Sequence, residues 1–396
     1  MFIFQWRPAC RSPPCAAVPL AQSLSPPPFF FAIRSTIAGS GSEGRKMLFA
    51  TILLLGQVLA EFTPEAEHPP YRQPQLAALG QRVAVVYGGG DAIYVRTSTD
   101  GGGSFSGPFL VFKGGRMPLG MRRGPRVAWT KEALVVSAIV GEKGGGADGD
   151  LWAWRSTDDG RTWSRGVMVN NVPASAREGL HGMAAAADGL VFLVRLDLRS
   201  AGTKLYGAVS RDAGASWSQN RLVYASPSGS ICECCHPTVM ASDGGRIVVL
   251  FRNSLDGARD MYLAESRDGG EGFTAAKLGR GTWLLNACPM DGGDLKLDGD
   301  GRPLTVWRRD KELFLSTPHK PETFVATGRN AALAATRQGP VVVWSSSKGL
   351  EVRYPGSARA EVLDPEGAYA NLATLGDGSV LAAWERGGGI VISKLR

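Results

Sequence analysis

Long apolar runs, clustered basic charge and cysteine are all scarce in this 396-residue chain. Lys and Arg total 44 against 36 Asp and Glu, yet the cations never form a run, which argues against a nucleic-acid partner. One apolar segment stands out, Met47-Leu-Phe-Ala-Thr-Ile-Leu-Leu-Leu-Gly-Gln-Val-Leu-Ala60. It is too short to cross a bilayer and no later stretch qualifies, so no membrane span is expected in the mature chain. Its length and its Val58-Leu-Ala60 ending fit a signal peptide over residues 47–60. Residues 1–46, with Ser25-Pro-Pro-Pro-Phe-Phe-Phe, share no unit with the rest. They read as a non-native extension ahead of a start at Met47, or as a longer leader whose basic segment is Arg45-Lys46. The expected mature protein is then 61–396, with a charge of about +4 once the leader's five cations and one acid are removed. Its expected compartment is secreted or periplasmic. Cys10 and Cys15 fall in the leader, leaving only Cys232, Cys234, Cys235 and Cys288.

Glycine, by contrast, is abundant at 52 residues, without collagen periodicity, which suits many short strands joined by tight turns. Some of these glycines belong to a pattern that occurs four times, Ser-x-Asp-x-Gly-x-x-(Phe/Trp). The copies are Ser98-Thr-Asp100-Gly-Gly102-Gly-Ser-Phe105, Ser156-Thr-Asp158-Asp-Gly160-Arg-Thr-Trp163, Ser210-Arg-Asp212-Ala-Gly214-Ala-Ser-Trp217 and Ser266-Arg-Asp268-Gly-Gly270-Glu-Gly-Phe273. Successive aspartates are 58, 54 and 56 residues apart, a period that points to propeller blades. Each copy reads as a hairpin turn. Ser and Asp hydrogen-bond nearby backbone, Gly supplies a positive φ, and the aromatic folds back to plug the hairpin.

Between these turns a second unit recurs: a strand of small residues, a Gly-containing turn and a β-branched strand. It is clear at 73–87, 124–136, 182–194 and 237–251, and shorter at 292–307, 331–344 and 370–384. Seven onsets favour an all-β fold, a single β-propeller of seven blades, with six as the alternative if two short units merge.

The eight-residue pattern resembles the Asp box of the sialidase (neuraminidase) superfamily. That resemblance implies a BNR-repeat propeller and, as activity, secreted exo-hydrolysis of sialic-acid-type, carboxylated sugars. It implies no cofactor, and the Asp boxes themselves take no part in chemistry. Sialidases hold the sugar carboxylate with three arginines, because guanidinium forks onto carboxylate. Their nucleophile is a tyrosine, an exception to the usual carboxylate pair. Tyr71-Arg72-Gln-Pro74 is similar to the motif carrying the first arginine, which makes Arg72 a substrate-binding candidate. Ala368-Tyr369-Ala-Asn-Leu matches the nucleophile segment, hence Tyr369. Glu233, followed by Phe251-Arg252-Asn, matches the activating Glu and the second arginine; Arg308 or Arg309 would be the third. Asp91, in Gly88-Gly-Gly-Asp91, is the candidate acid.

Cys232-Glu-Cys234-Cys235-His236 and Cys288-Pro-Met-Asp291 open neighbouring units. Two disulfides, a Cu(I) or Zn site completed by His236, and redox-active thiols all remain open for them. Two alternatives to a hydrolase follow: a non-catalytic propeller binding glycan or protein at the channel mouth, and a metal or redox site on this cluster.

Overall fold

The computed structural model describes residues 56–396. The extension over 1–46, its two cysteines and the apolar segment up to residue 55 lie outside them. The described residues form strands and turns without a helix, so none contains a helix long and apolar enough to cross a membrane. Seven four-stranded antiparallel sheets are the seven blades of a β-propeller. Their inner strands are Tyr71–Leu79, Arg126–Trp129, His181–Ala185, Thr238–Ser242, Asp294–Leu297, Arg329–Thr336 and Ala368–Thr374, in blades one to seven. Each inner strand touches the next and the seventh touches the first, closing a ring around a central channel.

The ring closes with strands from both ends of the described chain. Gln57–Phe62 is the outer strand of blade seven, pairing antiparallel with Gly389–Leu395. Gln57–Ala60, where the sequence reading ends the leader, are the first four residues of this strand. Cleavage after Ala60 would leave Glu61 and Phe62 to hold it.

Hydrophobic burial is organised by seams rather than by blades. Seven apolar clusters form among the described residues, and each draws its side chains from two adjacent blades. A blade is therefore buried on both faces. That explains why second strands such as Leu134–Val140 are buried throughout instead of alternating.

The four Asp boxes are the turns between third and outer strands, at the end of the propeller opposite the start of the inner strands. In each, the serine hydroxyl donates to the aspartate and accepts the buried glycine N–H, as Ser210 does with Asp212 (2.7 Å) and Gly214 (2.8 Å). The aspartate then accepts the N–H four residues on from it, at Ser104, Thr162, Ser216 and Gly272. In the first three boxes it also accepts that residue's hydroxyl. These bonds hold Asp100, Asp158 and Asp212 down to about 2, despite some desolvation at Asp212. The aromatic does not simply plug its own hairpin. Phe105, Trp163, Trp217 and Phe273 each pack into the seam with the preceding blade. The glycine is demanded by the same seam: Gly214 has φ 87°, and a Cβ there would meet Val135 of blade two at 2.8 Å.

Two substitutions test this arrangement. Ser210→Ala leaves the buried Gly214 N–H without an acceptor and is expected to cost about 1–3 kcal/mol in chemical denaturation. Gly272→Ser restores the hydroxyl that the fourth box lacks, at a residue without positive φ. It should raise the thermal midpoint by about 1–3 °C.

Candidate active site at the channel mouth

The inner strands of blades one, six and seven are distorted where they leave the mouth. Gln73, Asn330 and Tyr369 adopt left-handed backbone (φ 57°, 53° and 54°), each inside a register shift against the second strand. A tyrosine in this conformation is strained and persists only where its surroundings over-determine it. Neighbouring blades supply the missing ladder partners. Asn371 Oδ1 accepts Leu76 N–H, Asp294 Oδ2 accepts Leu333 N–H, and Asp291 Oδ2 accepts Asn330 N–H. The distorted strands of blades one and six are thus met by side chains from across a seam.

Arg72 and Glu385 face each other across the seam between blades one and seven. Arg72 Nε donates to Glu385 Oε2 (2.7 Å), while Glu385 Oε1 accepts both the backbone and side-chain N–H of Gln73 (2.8 Å each). The Arg72 side chain is 36% exposed and the carboxylate only 11%, so the arginine is anchored from beneath. Tyr369 begins the adjacent inner strand, one residue beyond Ala368, which pairs with Glu385. It is half-buried and outside the apolar clusters.

A residue that the sequence reading missed lies on the channel axis. Arg122, in the segment leading into blade two, crosses to blades six and seven and donates to Asn330 O (2.7 Å) and Ala370 O (2.8 Å). Burial lowers its pKa, and the charges of Asp294, Asp291, Tyr369 and Glu385 oppose that shift. Beside it, buried Arg126 donates to the carbonyls of Gly124, Pro125 and Arg122, and burial lowers it to about 9. The only sequence signal was the density of cations in Arg122-Arg-Gly-Pro-Arg126. Arg122, Arg126, His236 and Asp294 line one end of a channel cavity of about 540 Å³.

The opposite wall differs from expectation. Arg252 is 1% exposed, and its guanidinium is committed to the carbonyls of Asp291, Arg259 and Arg308, so it braces the wall rather than meeting a substrate. Arg309 runs over Phe314 to Glu322 (2.6 Å), toward the outer part of its blade. Arg308 stays near the mouth, donating to Pro289 O and lying 3.6 Å from Asp291. Trp283 stacks beneath both Arg252 and Arg308. Glu233 is exposed and accepts from Ser230; no hydrogen bond joins it to Tyr369 among the described residues. Asp91 is exposed in the turn between second and third strands of blade one, beside an open groove of about 400 Å³. Glu178, not singled out by sequence, is half-buried close to Glu233 and Arg123. Burial raises its pKa, Arg123 opposes this and Glu233 adds to it.

The four remaining cysteines carry no disulfide. Cys232, Cys234 and Cys235 are buried together, with Met290 packed against them, whereas Cys288 is exposed. His236 is turned to the channel and a hydrogen bond with Gly293, so it does not complete the cluster.

His181 hydrogen-bonds Ser137 (3.0 Å), and both His181 and His236 are pushed well below 6.5, first by burial and then by buried arginines. Below pH 6.5 the unfolded chain therefore binds protons that these folded histidines refuse, and stability must fall as pH falls. Each contributes at most about 1.4 kcal/mol per pH unit. The urea midpoint should drop between pH 7 and 5, and His181→Gln should flatten that slope by up to one proton.

The family profile described as BNR repeat-like domain matches residues 88–291. By sequence, no curated protein matches. Among solved structures, an α-L-arabinanase of Penicillium chrysogenum complexed with arabinobiose is similar over 86% of this chain and 98% of its own, at TM-score 0.51 and 14% identity. A polysaccharide lyase, a PL25 ulvan lyase, is similar over 86% and 95%, at TM-score 0.54 and 12% identity. A Hadza microbial sialidase is similar over 76% and 73%, at TM-score 0.47 and 15% identity. The profile covers more than half of the chain, and with its seven blades and four Asp boxes the chain belongs to the BNR repeat-like family of sialidase-type propellers.

Proposed function

We propose that the protein is a secreted hydrolase of carboxylated, sialic-acid-type sugars, working at the channel mouth. The observation that carries this reading is the pairing of a strained, half-buried Tyr369 with an anchored, partly exposed Arg72 at adjacent strand starts. Arg72 is held through Nε, and no other protein acceptor engages its guanidinium among the described residues, so its terminal nitrogens suit a substrate carboxylate. A phenol, being neutral, approaches such an anion without repulsion. The Tyr369 hydroxyl gives its proton to a carboxylate base as its oxygen attacks the anomeric carbon, and the glycosidic oxygen leaves with a proton from a carboxylic acid. Water, deprotonated by that acid's conjugate base, then releases the sugar as the tyrosine recovers its proton. Asp91 is the acid suggested by resemblance. Glu178, whose pKa is raised by burial and by Glu233, has the setting such an acid needs. The structural relatives with the same fold include an arabinanase and an ulvan lyase, which makes a carbohydrate a reasonable ligand for this mouth. The apolar segment over 47–60 supports secretion.

One observation favours a second reading, a propeller that binds such a glycan without cleaving it: the Glu233 carboxylate is engaged by Ser230 instead of Tyr369. A fluorogenic sialoside separates the two. Under the hydrolase reading the full chain releases the fluorophore. Tyr369→Phe abolishes turnover with the thermal midpoint unchanged, and Arg72→Lys raises KM at least tenfold with a smaller change in kcat. Between Glu178→Gln and Asp91→Asn, the true acid is the one whose loss removes the alkaline limb of the pH–rate profile. Saturable binding of the sialoside with no turnover leaves only the binding reading.

A further inference from the structure

The Cys-x-Cys-Cys run between blades three and four is unlike any other part of the molecule. Cys232, Cys234 and Cys235 are 1%, 9% and 2% exposed. Their sulfurs lie 3.7 Å (Cys232–Cys234), 3.4 Å (Cys232–Cys235) and 4.0 Å (Cys234–Cys235) apart. A disulfide needs about 2.05 Å. Three sulfurs cannot all pair among themselves, and the fourth described cysteine, Cys288, is exposed and outside the cluster. A single ion can satisfy all three. A triangle with those sides has a circumscribed radius of about 2.15 Å, obtained from the product of the sides divided by four times the area. An ion about 2.3 Å from each sulfur, the usual zinc–thiolate length, then sits only about 0.8 Å above their plane. That is the geometry of one face of a tetrahedron, or of a slightly domed trigonal site.

We propose that Cys232, Cys234 and Cys235 bind one thiophilic d10 metal ion, Cu(I) or Zn(II), as a trithiolate. Hard cations are excluded by an all-sulfur donor set. Met290 packs against the three sulfurs and offers a thioether, which suits Cu(I); Zn(II) would take a water at the open position. Binding converts three thiols to thiolates and releases three protons, without oxidation or reduction of any partner. The buried Arg252 guanidinium beside the cluster offsets the excess negative charge. Cys232 N–H donates to Arg252 O (3.1 Å) and Ile231 N–H to Thr203 O (2.9 Å), so the ion fastens a segment already tied to blades three and four. The same segment carries Glu233. The ion is thus structural, stiffening one wall of the mouth, and its presence does not depend on the activity proposed above.

The test uses the full chain, reduced and handled without oxygen. It is loaded with Cu(I) or with Zn(II), freed of excess ion by gel filtration and measured for metal by mass spectrometry. One ion per chain is expected, with release of three protons on loading and a higher thermal midpoint that a chelator reverses. Bathocuproine for Cu(I) and a pyridylazo dye for Zn(II) rank the two ions by competition. Cys235→Ser should weaken retention at least tenfold, whereas Cys288→Ser should leave it unchanged. Cd(II) added to the unmodified chain should give the ultraviolet charge-transfer band of bound thiolates, a readout that needs no variant to fold. The proposal is overturned if the reduced chain retains neither ion, if Cys288→Ser is as damaging as Cys235→Ser, or if the three thiols form a Cys234–Cys235 disulfide that excludes metal.

Discussion

A guanidinium buried at the axis of the ring sets the conditions for the mouth around it. Removing an arginine from water is expensive unless its donors are met. Arg122 meets that demand with two carbonyls on the far side of the channel, Asn330 O and Ala370 O. A regular antiparallel strand commits its carbonyls to its neighbour. Here the left-handed kinks at Asn330 and Tyr369 lie at those carbonyls, within a register shift. The unusual backbone of Tyr369 and the buried charge of Arg122 are therefore two sides of one arrangement. The kink at the candidate nucleophile directly precedes the carbonyl that accepts the cation from the segment leading into blade two.

The Asp boxes and the candidate site occupy opposite ends of the propeller. The Asp boxes tie seams at one end with short-range hydrogen bonds and an aromatic that belongs energetically to the preceding blade. Polar side chains at the other end tie blades one, five, six and seven, through Glu385, Asn371, Asp291 and Asp294. Blades five to seven, which lack boxes, are thus the ones most dependent on polar groups at the mouth.

What the sequence made legible follows from the range of each interaction. An Asp box is complete within eight residues, so its spacing revealed the blades, while their number came from the seven onsets of the small-residue and β-branched unit. Arg72 and Tyr369 were legible through short motifs at strand starts. Arg252 and Arg309 were not. A guanidinium on a long side chain goes where acceptors are, and theirs were carbonyls on the next blade and Glu322 in the outer part of the same one. Glu233 makes no hydrogen bond to Tyr369 among the described residues; Ser230, three residues away, engages its carboxylate locally. Arg122 and Glu178 sit in connections between blades, where no periodicity marks a position as inward.

The hydrogen bond between Arg72 and Glu385 joins residues 313 apart in sequence, across the seam where the first blade meets the last. Gln57–Phe62 clasps the final strand at that same seam, and Arg386 pairs there with Glu61. During synthesis, then, six blades can exist while the mouth does not. The pocket is completed only when blade seven meets blade one and the ring shuts. Such a long-range closure is slow in the manner of all high-contact-order folds. Until it happens the candidate site is incomplete.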